Sequence, residues 1–269
     1  MKVAVTGATG FVGRHVVAEL ERRGVKPTLV TRTTVDLRSP PPDAFRLLGE
    51  PDVLIHLAWG ELPKFESLYH LEEELPAQYR FLKGLIGAGL KNLLITGTCF
   101  EYGMQSGPLH EELGATPSNP YALAKHTLRL QLEYLRHVQP FNLTWARVFF
   151  LFGEGQFPKS LLPQLTTAVE RGDRTFNMSG GEQLRDYLPI AQAAEYLVSL
   201  ALNPSDIGVV NVCSGKPVSV RALVEGWIKE HGWAITPNLG YYPYPASEPM
   251  AFWGDRRKLD RVLAQSDHA

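Results

Sequence analysis

The sequence predicts an α/β fold, a doubly wound parallel sheet with a smaller C-terminal lobe, and three observations carry that prediction. Apolar runs of strand length alternate with amphipathic helical stretches. The first run passes through a glycine-rich turn into a helix, and from about Gly153 the alternation gives way to loops rich in Gly and Pro. The 269 residues, 44% of them hydrophobic, suffice for one sizeable core and a lobe. A net charge of −1 supplies no basic excess, so no nucleic-acid partner is expected. A strand starts within two residues of Met1 and no apolar run approaches membrane length, which predicts a soluble, cytoplasmic protein without a membrane partner. Cys99 and Cys213 lie in apolar, strand-like segments and read as buried reduced thiols. Neither belongs to a metal-spaced pair and the eight histidines form no HExxH motif, so no metal is expected.

Taken in order, residues 2–5 form the first strand, and 6–13 (TGATGFVG) the turn that opens a helix. A second strand at 27–30 is followed by the proline-rich link 39–42 and a short helix, a compact crossover. Strands follow at 53–57, 93–96 and 143–150. One helix covers 72–88, its Glu72, Glu73 and Glu74 forming a solvated acidic first turn. A second helix starts after Ser118-Asn119-Pro120, a helix-start signature. Helices at 159–171 and 190–202 and a strand at 209–212 complete the pattern. The segment 237–249, with its prolines and tyrosines, reads as an ordered loop whose aromatics pack against a neighbour. The expected division assigns 1–152, with 176–215 returning to it, to a dinucleotide-binding domain, and 153–175 with 216–269 to a small substrate-binding lobe.

The chemistry starts at the first turn. Gly7 can take a positive φ, Gly10 leaves room for a pyrophosphate, and Gly13 lets helix pack on strand, as a Rossmann dinucleotide site requires. Thr9, Phe11 and Val12 complete this candidate cofactor-binding turn. The second strand ends Val30-Thr31-Arg32-Thr33 with no acid to accept ribose hydroxyls, so Arg32, with Arg14 assisting, is expected to hold a 2′-phosphate. NADP(H) is thereby favoured over NAD(H). Tyr121 and Lys125 stand four residues apart on one helical face, where the ammonium would lower the phenol's pKa toward the working range. Thr98 ends the strand upstream, where the catalytic groups of parallel sheets collect.

These three motifs, in this order, resemble the extended short-chain dehydrogenase/reductase family of nucleotide-sugar epimerases, dehydratases and reductases, over nearly the whole chain. The resemblance implies that Thr98 polarises the sugar carbonyl or hydroxyl, Tyr121 transfers the proton, and Lys125 tunes the tyrosine and holds the nicotinamide ribose. It places Asp36 and Leu37 at the adenine, and Leu57, Ala58, Trp59 and Val148 along the cofactor. Cys99 and Phe100 stand where 4,6-dehydratases carry an Asp-Glu pair, which argues against dehydration. The stretch from Gly97 to Leu109 is similar to bacterial reductases of nucleotide-linked 4-keto-6-deoxyhexoses, which make fucose-, 6-deoxytalose- or abequose-type sugars for surface polysaccharide. Substrate contacts implied are Thr98, Cys99, Phe100, Glu101, Lys159, Asn177 and Arg185, with Gln105 and Gln164 beside them and Arg185 on the diphosphate. Glu101 also reads as a solvated loop acid, and Arg185 as half of an ion pair. The family's later arginine is missing near Glu248, and Arg256 or Arg257 could compensate. Glu74 and Gln78 stand where many relatives have a relay asparagine. A homodimer is implied through the 72–88 and Tyr-Lys helices, with Leu85, Leu128, Leu132 and Leu135 either on that face or against the sheet. A 4-epimerase retaining NAD and a non-catalytic NADP sensor are the competing readings.

Overall fold

The computed structural model describes residues 1–266. The strands are β1 (Val3–Thr6), β2 (Thr28–Val30), β3 (Val53–His56), β4 (Asn92–Thr98), β5 (Gly107–Leu109), β6 (Asn142–Val148) and β7 (Phe150–Phe152). They continue as β8 (Thr175–Asn177), β9 (Leu184–Pro189), β10 (Gly208–Val212), β11 (Pro217–Ser219), β12 (Thr236–Asn238) and β13 (Phe252–Gly254). The helices are α1 (Phe11–Arg22), α2 (Ala44–Leu47), α3 (Leu75–Gly87), α4 (Pro120–Leu135), α5 (Leu161–Glu170), α6 (Ile190–Leu202), α7 (Val220–His231) and α8 (Arg257–Ser266).

A parallel six-stranded sheet in the order β10-β6-β4-β3-β1-β2 forms the centre. The chain leaves β1 toward β2 on one side and returns to β3 on the other, so a crevice opens at the C-terminal ends of β1 and β3, where such sheets bind ligands. Because strand side chains alternate, each residue set faces one helical layer. Ala4, Leu54, Leu93, Ile95, Leu143 and Trp145 pack under α3 and α4. Val3, Val5, Val53, Ile55, Leu94, Ala146 and Val210 pack under α1 and α6. Leu85, Leu128, Leu132 and Leu135 are 6% exposed or less and belong to the first of these layers, so they face the sheet. The outward side of α4 carries Leu123, Leu130 and Tyr134 instead.

Three elements depart from the sequence reading, each for a local reason. The strand expected over 143–150 breaks at Phe149, after which β7 joins a separate sheet, β11-β9-β7. The helix expected over 72–88 opens as a π turn, His70–Glu74, in which the Leu75 N–H reaches the His70 carbonyl. Pro76 has no N–H with which to continue an α ladder there. Of its three acids, Glu72 and Glu73 are exposed but Glu74 is 5% exposed, so the turn is not wholly solvated. In the 237–249 segment Tyr241 and Tyr242 pack edge to face on each other and stay exposed, where burial was expected; only Tyr244 is half-covered, donating to Glu182 at 3.1 Å.

Beyond the sheet, Leu165, Phe176, Met178, Val220, Val224 and Trp227 form a further core between α5, β8 and α7. Cys99 and Cys213 are free and buried together with Tyr102, Phe149 and Phe252. Residues 267–269, the end of the expected lobe, lie outside the described residues. Among the described residues no helix is long and apolar enough to cross a membrane, and no cluster of His, Cys, Asp or Glu could hold a metal.

Candidate active site

Close backbone approach shapes the β1–α1 turn. Gly7 has φ +68, and a Cβ there would lie 2.9 Å from the Ala58 nitrogen. A Cβ at Gly13 would overlap the Gly7 carbonyl and Ala8. Gly10 is the N-cap of α1 without any side-chain cap, so the first helical N–H groups, beside exposed Thr9 and half-buried Phe11 and Val12, remain available to an anion. The loop after β7 rests on this turn: His15 Nε2 donates to the Glu154 carbonyl at 3.0 Å, and Arg14 lies against Gly155.

At the end of β2 Arg32 is exposed on a turn tied by Thr31, Thr33 and Thr34, and it has no carboxylate partner among the described residues. Asp36 is exposed and accepts from the Arg38 N–H at 3.0 Å, while Leu37 packs on the core. At the end of β3 the Thr6 hydroxyl accepts from the Leu57 and Ala58 N–H groups at 3.2 and 3.3 Å. A glycine cradle, an uncapped helix N-terminus and an unpaired arginine at these strand ends fit a dinucleotide.

Thr98, Tyr121 and Lys125 come together at the end of β4. Asn119 caps α4 by accepting from the Ala122 N–H at 2.8 Å, with Pro120 in the first turn, and this fixes where Tyr121 and Lys125 point. The Thr98 side chain lies close enough to the Tyr121 phenol to act on its acidity, and its hydroxyl accepts from the Phe100 N–H at 3.3 Å. Lys125 donates to the Thr96 carbonyl at 2.7 Å, and its ammonium lies 4.0 Å from the centre of the Trp59 ring. Trp59, Phe65 and His70 pack around the Tyr121 ring at 6.0, 5.2 and 5.4 Å between centroids. Val148 pairs with Thr98 across the sheet.

Burial dominates the electrostatics here. It pushes the Tyr121 phenol upward, with Glu101 and Cys99 adding to the effect and the Thr98 side chain opposing it. It pushes Lys125 down to about 7, against the pull of Glu101 and Glu74. The sequence expectation that the lysine would lower the tyrosine is not met: the phenol is shifted upward by its burial, and Lys125 is not among the groups that act on it.

Several expected ligand contacts are engaged elsewhere. Glu101 is 0% exposed and is neither solvated nor free to meet a sugar. It accepts from the Thr98 N–H and Trp145 Nε1 at 3.0 and 2.8 Å and pairs with Arg147 at 3.0 Å. Arg185, 3% exposed, pairs with Glu248 at 2.8 Å and stacks on Phe252; the acid is Glu248 because Asp186 instead receives the Ser214, Gly215 and Gly254 N–H groups. Gln105 donates to the Tyr102 and Gly114 carbonyls, and Gln164 to the Lys159 carbonyl. Arg256 pairs with Asp260 and Arg257 with Asp255, so neither stands free in place of the missing arginine. Cys99 is 4% exposed, its thiol pushed up by burial, and Phe100 lies between Phe65 and Phe150. Lys159 and Asn177 are exposed, Asn177 accepting from Asn238 at 2.8 Å.

The sequence reading missed Phe65, His70 and His56. His70 Nδ1 accepts from Trp59 Nε1 at 3.2 Å and its Nε2 donates to the Lys64 carbonyl at 2.9 Å. His56 accepts the Thr6 hydroxyl at 2.9 Å and donates to Gln78 Oε1 at 2.6 Å; burial first, then Lys125, lowers it to about 3. Only the concentration of aromatics between Trp59 and His70 could have signalled this wall.

The family model for the NAD dependent epimerase/dehydratase family matches residues 3–213. The dTDP-6-deoxy-L-talose 4-dehydrogenase (NAD(+)) of Aggregatibacter actinomycetemcomitans is 32% identical, over 94% of this chain and 99% of that protein. The GDP-6-deoxy-D-mannose reductase of Pseudomonas aeruginosa is 26% identical, over 83% of this chain and 78% of that protein. The structure of MoeE5 in complex with UDP-glucuronic acid and NAD superposes with a TM-score of 0.81 at 26% identity, covering 98% of this chain and 93% of that one. The chain belongs to the NAD-dependent epimerase/dehydratase family, as an NAD(P)-dependent oxidoreductase of the extended short-chain dehydrogenase/reductase type.

Proposed function

We propose that the protein reduces the 4-keto group of a nucleotide-activated 4-keto-6-deoxyhexose, with NADPH preferred and a dTDP-sugar favoured, for surface polysaccharide synthesis. The observation that carries the reading is the meeting of Thr98, Tyr121 and Lys125 at the end of β4, beside a dinucleotide-shaped turn. The near full-length likeness to a dTDP-6-deoxysugar 4-dehydrogenase supports the sugar class. That relative is named for NAD(+); the preference for NADPH rests on exposed, unpaired Arg32 and the lack of an acid at the end of β2.

Bound nicotinamide would supply the hydride to C4. Gly7, Gly10, Gly13 and the first turn of α1 would hold the pyrophosphate, Arg32 the 2′-phosphate, and Leu57, Ala58, Trp59 and Val148 the inner half. Thr98 orients the sugar oxygen by hydrogen bonding, and Tyr121 gives it the proton that completes the alcohol. Burial keeps the phenol protonated, which is the form a reduction requires. The ring wall of Trp59, Phe65 and His70 keeps water from the phenol. In this reading the protein works in the cytoplasm as a homodimer, for which Leu123, Leu130 and Tyr134 on the outer side of α4 offer an apolar face.

The test is loss of nicotinamide absorbance when the protein meets NADPH or NADH and a panel of dTDP-, GDP- and CDP-linked 4-keto-6-deoxyhexoses. NADPH oxidation with one of them is expected, and Tyr121→Phe should lower kcat by about 10²- to 10⁴-fold while dinucleotide affinity is kept. Release of NAD from denatured protein, with no oxidation, would replace the reductase by a 4-epimerase.

A further inference from the structure

Two buried side chains beside the Trp59–Gly60 turn, Glu74 and Lys125, form no ion pair among the described residues. Glu74, on the π turn, is 5% exposed, and its carboxylate accepts from the Gly60 N–H at 2.8 Å, Gln78 Nε2 at 2.7 Å and the Tyr69 hydroxyl at 2.8 Å. All three are neutral donors, and among the described residues no cation forms an ion pair with it. Lys125 is 2% exposed and, among the described residues, is held by the Thr96 carbonyl and by the face of Trp59. The other acid that acts on Lys125, Glu101, is already matched by Arg147. One residue of backbone separates the two sites: Glu74 fixes the Gly60 N–H and Trp59 covers the ammonium. The fit is close, since a Cβ on Gly60 would lie 2.7 Å from Glu74 Oε2.

We propose that Glu74 is the buried counter-ion of Lys125, holding the Trp59–Gly60 turn over the ammonium and keeping it charged, and so setting the alkaline limit of turnover. A buried ammonium without a compensating anion sheds its proton, and a buried carboxylate without a cation is costly; each charge here stabilises the other. The remaining groups do not take this part. On β3, His56 is a neutral ring wedged between Thr6 and Gln78. At the π turn, the Tyr69 hydroxyl donates to Glu74 and His70 accepts from Trp59 Nε1, with Arg38 and Glu61 near Tyr69. On α4, Tyr121 is a protonated phenol, and His126 stands near Arg129, Glu133, Glu101 and Arg147. The inference deepens the reductase reading, because it rests on Lys125 acting in that reaction.

The test is the titration of Lys125 in the full-length protein, followed by NMR of ¹³Cε-labelled lysine with Lys125→Met to assign the signal, alongside the pH profile of kcat. Glu74→Gln should move the Lys125 midpoint, and the alkaline limb of kcat with it, down by about one pH unit, a tenfold loss of charged lysine at a fixed pH above the limb. Tyr69→Phe, which removes a neutral donor from the same carboxylate, should leave both in place. An unmoved midpoint in Glu74→Gln, or an equal shift in Tyr69→Phe, overturns the proposal; Glu74→Asn gives the same readout if the Gln variant does not fold. A shifted midpoint without turnover on any sugar nucleotide sinks the reductase reading alone, and turnover with an unmoved midpoint sinks the counter-ion alone.

Discussion

The two walls of the crevice use their charged side chains in opposite ways. On the cofactor wall Arg32 is exposed and unpaired, and the first N–H groups of α1 have no side-chain cap. Among the arginines expected to meet the substrate, the lobe wall of that expectation, Arg185, Arg256 and Arg257 each have a carboxylate partner: Glu248, Asp260 and Asp255. Between the walls lies a dry floor where Glu101 with Arg147, His56 with Gln78, and Glu74 are all buried. An arginine's presence in a sequence therefore says little about ligand binding until its partner is known. The cofactor wall holds cations ready for an anion, while the lobe and floor use theirs to hold the fold.

The floor gives the largest expected effect. Glu101 and Arg147 are 0% and 2% exposed, so Glu101→Gln leaves a buried guanidinium without its charge partner. Urea unfolding should show a loss of about 3–5 kcal/mol. A mainly raised KM for the sugar, with unfolding unchanged, would return Glu101 to the ligand and break the contrast between floor and walls.

Next comes the pH dependence of the same floor. The His56 value falls from 6.5 to about 3 on folding, mainly through burial. Between those values the unfolded chain binds the extra proton, so stability present above pH 6.5 is lost as the pH falls toward about 3, at up to ~1.4 kcal/mol per pH unit. His56→Gln should flatten that acid slope in urea titrations. Lys125 acts at the other end of the scale: lowered to about 7 in the fold, it makes stability rise with pH from about 7 toward its unfolded value. A wild-type curve level from pH 7 down to pH 4 would mean that the floor is wetter than its packing shows.

The same contrast explains what could be read in the sequence. The alternating strands and the glycine turn were legible because strand period, helix caps and positive φ are local properties of the chain, seen at Gly7, Asn119 and Pro120. The Tyr-Lys pair was legible because helical spacing of four is local as well. Glu101, Arg185 and Glu74 were misread or left open because their state depends on residues 46, 63 and 14 positions away, which only the fold brings near. The sign of the Tyr121 shift failed for the same reason: spacing shows that a lysine is near, and only packing shows how dry the site is.

Arg32 gives the third effect. Arg32→Ser should raise the KM for NADPH about tenfold, in line with one charge-assisted contact, and leave the KM for NADH in place. A parallel rise for both cofactors would mean that the turn after β2 had lost its shape, and no effect on either would place Arg32 with the surface arginines and remove half of the contrast.

The smallest effect is expected at Arg256, and it is the most useful for the lobe wall. Its ion pair with Asp260 spans one helical turn, with side chains 29% and 54% exposed, and its guanidinium also lies 5.4 Å from the centre of the Tyr196 ring. A pair this exposed contributes little, so Arg256→Gln should cost less than about 1 kcal/mol and leave the KM for the sugar nucleotide unchanged. The resemblance to relatives offers a different role, an arginine standing in at the diphosphate for the one missing near Glu248. A severalfold rise in that KM, with the melting temperature kept, would mean that Arg256 leaves Asp260 for the substrate. The lobe wall would then hold one cation in reserve, and its difference from the cofactor wall would be one of degree.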